Sequence, residues 1–477
     1  MRYECRLQVR FALFVAAVML TSLAPTVVQA QNNGGNNGGG IGGNAGTNYQ
    51  NAGVIVDAQG VLRVQRIDDR GGLRHKRIAE AAMATLDPKL AKRSASRKIS
   101  LNRLEKAVAK QVESGEGITD EMKYLAGMLR VQNVFFYPET GDIVLAGPAE
   151  GFAEDLVGRV RGLTTGRPVL QLQDLVTALR AYPPAGNKLN LIGVSIDPTQ
   201  EGLARMQQTV AQVGRIMTPG AEGRVAASLR QALGLQTVSV QGISSKTHFA
   251  QVLVEADYRM KMIGIGLEQP PAPVKIPSYA ARADGRGSSS EMQRWYFVPD
   301  YKCVRVANDG NAMEMEGWGV KLVGQSEVVQ QGGVRQQAAG GSKASKEFCT
   351  AFTEQYPKLA NVEPVYAQLR NLIDIAVAAA FIQDKDYYQQ ANWDLGVFAD
   401  EGRFAVETYE TPKQVESTLN VIRKGNRVSI PIGGGVHVEP LQALKSENIL
   451  PDDEGKVGAG YGKVSLKDLP EGQWWWD

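Results

Sequence analysis

The sequence predicts a mixed α/β protein of the α+β kind, with helices layered on small sheets. Two patterns carry this. Short apolar or alternating runs, bounded by Gly, Pro, Asn and Asp, recur from Val54 to Glu439 and read as strands and hairpins. Between them lie longer stretches with apolar residues at helical spacing. Composition agrees with a globular chain: 477 residues, 43% hydrophobic and 22% charged. At roughly 100–200 residues per domain this allows two to four domains. A net charge of +3 and an aromatic share of 7% supply neither the basic field nor the stacking platform of a nucleic-acid binder.

Residues 1–30 read as a signal peptide. Arg2, Arg6 and Arg10 precede the apolar run Phe11–Leu23, and Val28-Gln29-Ala30 supplies small residues before a cleavage point between Ala30 and Gln31. The apolar run is too short to span a bilayer, so no membrane span is expected after cleavage. Cleavage removes three Arg and one Glu, taking the charge from +3 to +1. It also removes Cys5. Cys303 and Cys349 remain, and an oxidising export route makes them a disulfide candidate, the alternative being two buried free thiols. Residues 31–50 are an Asn/Gly-rich low-complexity leader, expected to be disordered. Gly38, Gly40 and Gly43 satisfy G-x-G-x-x-G there, but with no strand before and no helix after them.

A first block, residues 51–268, opens on a hairpin: Val54–Val56, a turn at Asp57–Gly60, then Val61–Val64. A helix over His75–Leu86 stops at Asp87-Pro88. Ala91–Lys98 reads as a loop or helix start. Ser100 caps a helix over Leu101–Val112, and Thr119 caps another with Met122, Leu125 and Leu129 on one face. Val131–Tyr137 and Ile143–Ala146 form a second hairpin. Helices follow at Leu175–Arg180, from Thr199 onward, around Val225–Leu233, and over Phe249–Met260; Leu189–Ile196 and Gln236–Val240 are strands.

Residues 269–291 are rich in Pro, Gly and Ser and read as a linker or long loop. A second block, 292–440, begins with strands at Trp295–Val298, Cys303–Val306, Ala312–Glu316 and Val320–Val323. Helices are expected near Glu347–Tyr356 and over Val365–Gln389, the latter apolar all round at Leu372–Ile382 except for Asp374. Strands return at Arg403–Thr408, Val428–Pro431 and Val436–Glu439. Residues 441–477 are a polar tail ending in Trp474-Trp475-Trp476.

Four segments carry a family resemblance: VFFYPETGDIVLAGPAEG (Val134–Gly151), LQTVSVQGISSKTHFAQVLVEADYRMKMIGIGLE (Leu235–Glu268), RWYFVPDYKCVRV (Arg294–Val306) and PVYAQLRNLIDIAVAAAFI (Pro364–Ile382). Over Lys123–Glu439 the chain resembles an uncharacterised family of exported proteins, a domain of unknown function best known from planctomycete bacteria. The resemblance implies export and a shared fold, and brings no activity, ligand or catalytic residue with it.

Chemistry-bearing motifs are sparse. His437 and Glu439 alternate on a predicted strand and share a face, so they form a metal candidate; the ordinary reading is a surface histidine beside a carboxylate. No G-x-S-x-G elbow or Ser-x-x-Lys pair is present. Gly242–Thr247 stands where a phosphate loop would, between strand and helix, but lacks its two glycines. No motif calls for a cofactor. His248 opens a predicted helix that also carries Asp257 and Arg259, and these three are catalytic candidates. Asp374, in an apolar helix, needs a partner; Arg370 four residues earlier is in reach, and the ion-pair reading stands beside a catalytic-acid one. Trp474, Trp475 and Trp476 are a surface-binding candidate or, folded back, a C-terminal latch.

The first expectation is thus an exported envelope protein, periplasmic or secreted, that acts as a binding or structural module toward an envelope protein or glycan. An enzyme with a family-specific site at His248, Asp257 and Arg259 is the alternative. A carbohydrate-binding module using the terminal tryptophans is the third.

Overall fold

A computed structural model describes residues 54–64, 73–213, 220–283, 291–338, 342–420, 432–460 and 466–477, apart from 58, 187 and 454. The segment expected to be a signal peptide, the cleavage point expected at Ala30 and Gln31, the Asn/Gly-rich stretch expected as a leader, part of the 269–291 segment and the strand expected at Val428–Pro431 lie outside them.

The chain starts as its local chemistry dictates. Strands Val54–Val56 (β1) and Val61–Val64 (β2) pair antiparallel about Asp57, whose carboxylate accepts from the backbone N–H of Gln59 and Val61. Helix Leu73–Thr85 (α1) follows. The polar run expected as loop or helix start is instead strand Ser94–Ser100 (β3). Its alternation was hidden because the residue it turns inward is a charged one, Arg97. Ser100 caps helix Leu101–Glu113 (α2) as expected, accepting from Arg103 N–H. The helix capped by Thr119 lasts a single turn, Asp120–Lys123, because Leu125 and Ala126 take φ of 46° and 49° and break it. Asn133–Tyr137 (β4) and Asp142–Ala149 (β5) form the second hairpin. A small ribbon, Phe152–Glu154 (β6) with Val160–Gly162 (β7), comes next.

The remaining elements are helix Leu172–Ala181 (α3), strand Ile192–Pro198 (β8), helices Gln200–Val213 (α4) and Glu222–Leu233 (α5), strand Gln236–Gln241 (β9) and helix His248–Gly264 (α6). Strands Glu291–Pro299 (β10), Val304–Val306 (β11), Ala312–Met315 (β12), Val320–Val329 (β13) and Arg335–Gln337 (β14) lead to helices Lys343–Val362 (α7) and Pro364–Asp384 (α8). Gln414–Val415 (β15), Ile432–Val438 (β16) and Trp475–Trp476 (β17) complete the strands.

Two main sheets result. One has the order β1-β2-β15-β9-β8-β16-β10-β13-β14, the other β11-β12-β4-β5-β3-β17. Each interleaves strands from both sides of 269–291, so the boundary expected there does not separate two cores. The larger sheet is antiparallel except where β2 meets β15 and β16 meets β10. Strand β16 sits in its middle and begins Ile-Gly-Gly-Gly. At Gly434, with φ of 121°, an added Cβ would lie 1.9 Å from the carbonyl oxygen of Trp295, so only glycine allows the two strands to meet.

Helix α6 lies on β8 and β16 and packs against α8, which also meets α3 and α7. Every residue of α8 from Val365 to Ile382 is buried. The helix is 21 residues long and ends at Asp384, short of the expected Gln389; by length and composition alone it could cross a membrane, and here its apolar window is wholly covered by protein. The strand expected at Arg403–Thr408 is absent. That segment runs as a loop without a ladder partner, its Phe404 carbonyl, like that of Phe398 just before it, accepting from the Arg180 guanidinium.

Candidate functional site

A cleft of about 220 Å³ opens where four segments converge: 118–124, 158–160, the start of α3, and the 404–407 loop. Its walls are mixed. Ile118, Leu172, Val160 and Phe404 supply apolar surface, and Lys123, Gln171, Gln173 and Glu407 supply hydrogen-bonding groups. Such a mixture, apolar walls with a few convergent polar groups, is the usual character of a small-molecule site.

Behind the cleft runs a continuous polar chain. His248, the first residue of α6, is 1% exposed and holds Asp174 of α3 through Nδ1, at 2.8 Å from Oδ2. Asp174 can only accept, so Nδ1 carries the proton. Nε2 then faces the Gln171 amide nitrogen at 3.4 Å. Gln173 Nε2 donates to Gln171 Oε1 at 2.6 Å and to the Tyr409 hydroxyl at 2.9 Å, and that hydroxyl donates to Glu407 Oε2 at 2.9 Å. The chain therefore leads from a buried carboxylate, through an oriented imidazole and two amides, to a carboxylate at the mouth. Burial first, and the Glu407 carboxylate next, push the Tyr409 phenol well above its ordinary value. Gln173 Oε1 is buried and receives no hydrogen bond.

Of the catalytic candidates, the structure brings only His248 to this place. Asp257 lies nine residues further along α6, about 13 Å up the axis. It is wholly buried beside Lys261, with Oδ2 2.6 Å from Nζ, and Lys261 also donates to the carbonyl of Ile196 at 3.1 Å. Burial pushes the Asp257 carboxyl up to about 6 against the opposing pull of Lys261, and burial lowers the Lys261 ammonium. Arg259 points the other way, its guanidinium paired with Glu268 at 2.8 Å and Glu363 at 2.7 Å, and with Glu255 at 3.4 Å. Glu255 in turn holds Arg159 at 2.6 Å. None of Asp257, Lys261, Glu255 and Arg259 lines the cleft. They are buried ion pairs that join α6 to β8 and to the start of α8, not one constellation with His248.

The other candidates have structural surroundings. Asp374 is paired, but with Arg130, at 2.7 Å, rather than with Arg370 on its own helix. Arg370 donates to Asn371 and lies over the Trp318 ring, while Arg130 comes from the segment between the first helices and β4, far away in sequence. Cys303 and Cys349 are both free and buried, so the disulfide alternative is not the one adopted. Burial pushes both thiols up to about 12. His437 packs on the Tyr296 ring at 4.7 Å, and burial lowers its imidazole. No third ligand joins His437 and Glu439 among the described residues.

The terminal tryptophans fold back. Trp475 and Trp476 form β17, antiparallel to β3, with Trp475 opposite Ile99 and Trp476 opposite Lys98. Trp474 is 5% exposed and Trp476 6%. The Trp475 ring lies under the Arg97 guanidinium at 4.4 Å and its indole N–H donates to Glu121. Trp474 and Trp476 are thus buried, and Trp475 is half-buried with one face under Arg97.

The residues sequence reasoning missed are Asp174, Gln171, Gln173, Glu407 and Tyr409. Asp174 is the one acidic residue of its helix and stands in the first turn, which is the one local signal that was readable.

A protein-family profile described as "Protein of unknown function (DUF1598)" matches residues 194–279, running from β8 through α6. No curated protein and no solved structure matches the chain. The matched stretch contains His248, Asp257 and Lys261, and Glu255, Arg259 and Glu268 of the second network, whose Arg159 and Glu363 lie outside it; it falls within Lys123–Glu439, the range of the family resemblance. A domain of unknown function, DUF1598, is therefore present in this part of the chain.

Proposed function

We propose that this is an exported envelope protein that binds a small polar molecule in the cleft between α3 and the 404–407 loop. The observation that carries the reading is the polar chain running from Asp174 through His248, Gln171, Gln173 and Tyr409 to Glu407 beside the apolar side chains of the same wall. Three of its members, Gln171, Gln173 and Glu407, line the cleft, and one acceptor there lacks a donor. The volume lies below the roughly 300–1,000 Å³ of pockets for drug-sized ligands, which suits a single ring or short-chain metabolite. Export rests on the N-terminal pattern of Arg, apolar run and Val28-Gln29-Ala30.

The test is a thermal-shift screen with sugars, amino acids, nucleosides and amines. Wild type is compared with Ala405→Trp, which fills the cleft from its exposed loop. At 100 times Kd a ligand stabilises by about 2.7 kcal/mol. Hits should shift wild type by a few degrees and leave the variant unmoved. Equal shifts in both proteins, or none in either, would reject the cleft as the site.

A second reading, catalysis, is favoured by one observation: Asp174 fixes His248 so that Nε2 faces the cleft side of α3. Ligand turnover in wild type that disappears in His248→Gln, with binding retained, would move the protein from binding module to enzyme.

A further inference from the structure

We propose that the cleft selects a small organic cation, an amine or quaternary ammonium that also carries hydrogen-bond donors. This rests on the binding reading above and adds the class of ligand.

The first observation is charge. Lys123, on the cleft wall, is already matched by Asp120, whose Oδ1 lies 3.3 Å from its ammonium. Two further carboxylates remain. Glu407 lines the cleft. Glu154 is the ladder partner of Val160, which also lines it. Neither makes an ion pair among the described residues. Glu407 on the wall, with Glu154 and Asp120 beside it, sets three carboxylates against one ammonium and leaves a surplus of two negative charges around the cleft. An anion would meet that field directly, and a neutral ligand would leave it uncompensated.

The second observation is the aromatic surface. Tyr124 and Phe404 both line the cleft, and Tyr124 is held edge-to-face on Phe152 with centroids 5.3 Å apart. Aromatic faces beside carboxylates are the surroundings that attract ammonium groups. The third is the amide wall: Gln171 and Gln173 line the cleft, and Gln173 Oε1, buried without a donor, reaches an N–H or O–H of the ligand on a turn of its side chain. The electrostatics of the wall agree. Burial, then Asp120, Glu407 and Glu154, push the Tyr124 phenol up to about 12. Burial, then Asp155, Asp120 and Glu407, raise the Glu154 carboxyl. Each group reports the same negative neighbourhood. Asp155 is outside this count because Arg161 pairs with it at 3.7 Å.

The experiment is titration calorimetry of the whole chain at low ionic strength. Choline, ethanolamine and glucosamine are each compared with a neutral counterpart: 3,3-dimethylbutanol, ethylene glycol and glucose. The proteins are wild type, Glu154→Gln/Glu407→Gln and Ala405→Trp. Both glutamates are exposed, so their replacement leaves the core untouched. At least one amine should bind wild type about tenfold more tightly than its neutral counterpart, from one cation–π contact and one ion pair. That preference should vanish in the double variant, and binding should vanish in Ala405→Trp. A neutral compound binding as tightly as its amine, and blocked by Ala405→Trp, would overturn the cation while leaving the cleft a binding site. An amine preference that survives the double variant would overturn the assignment of the charge to Glu154 and Glu407. Absence of binding by either set would reject both this inference and the reading it rests on.

Discussion

Replacing Asp477 by Ala tests whether the last strand is a latch that the fold depends on. Arg97, on β3 beneath the edge strand β17 of the smaller sheet, is 0% exposed. Its Nε donates to Asp477 Oδ1 at 2.8 Å and its Nη2 to Oδ2 at 3.4 Å. The carbonyls of Lys89, Leu90, Lys92 and Ala126 take the remaining donors, and Trp475 covers the guanidinium face. Breaking a fully buried pair by removing one partner costs about 3–5 kcal/mol. Here Asp477 keeps 30% of its side chain in water, so solvent replaces part of what is lost. The expected cost is about 2 kcal/mol, between the buried and the exposed cases. Arg97→Met strips four carbonyls of a donor as well and should cost about 3 kcal/mol or more. Because Asp477→Ala has little left to remove in that background, the two changes should be coupled by about 1–2 kcal/mol. Urea unfolding of the four proteins, followed by circular dichroism, measures this. Additive losses, or an Asp477→Ala protein within about 0.3 kcal/mol of wild type, would show that the terminal strand rests on the sheet without holding it.

Three further outcomes follow from the same contacts. Asp374→Ala leaves Arg130 without its 2.7 Å partner at a site where Arg130 is only 13% exposed, and should cost about 3 kcal/mol in chemical unfolding, with Asp374→Asn milder; equal stability of all three would sink the ion pair. Gly434→Ala should destabilise by at least about 3 kcal/mol, because its Cβ would sit 1.9 Å from the Trp295 carbonyl oxygen at a φ of 121°; a melting temperature like that of wild type would contradict the close approach of β16 to β10. The third concerns pH. Burial alone would raise the Asp142 carboxyl, but Arg103 at 2.8 Å and the Ser100 hydroxyl at 2.5 Å outweigh it and hold the carboxyl below its ordinary value. A depressed carboxylate contributes stability above its unfolded value near pH 4, and that contribution is lost as pH falls through the folded one. The stability gap between wild type and Arg103→Gln should therefore be widest at pH 7 and narrow below pH 4; a gap constant from pH 7 to pH 3 would refute the linkage.

What was readable in the sequence depended on how far each residue had to reach. Ser100 caps α2 through a bond to Arg103, three residues away, and the spacing alone announced it. The hairpins β1–β2 and β4–β5 close over short turns, and alternation found them. Arg97 could not be read, since its partner lies 380 residues on, and a charged residue at an inward position hid the strand that carries it. Asp374 was rightly seen to need a cation, but the nearest Arg in sequence was not the nearest in space: Arg130, 244 residues away, reached it first.

His248 shows the same limit at the candidate site. The helix it opens, and its place at the first turn, were visible from Thr247 and the apolar spacing of Phe249 to Met260. Its partners Asp174, Gln171 and Tyr409 come from a helix 74 residues earlier and a loop on the far side of α8, and no local pattern links them. Asp257 and Arg259 share its helix, yet two residues on a helix point about 200° apart, so each entered a different ion-pair network. Read alone, the sequence yielded the mixed α/β class and many of the periodic elements, caps and turns, because those are settled within a few residues by backbone sterics and apolar spacing, whereas β3 and the loop at Arg403–Thr408 escaped it. Only the tertiary structure decided which charges meet, that both thiols stay free, that the tryptophans close a sheet, and where a cleft opens, because those are set by packing between segments hundreds of residues apart.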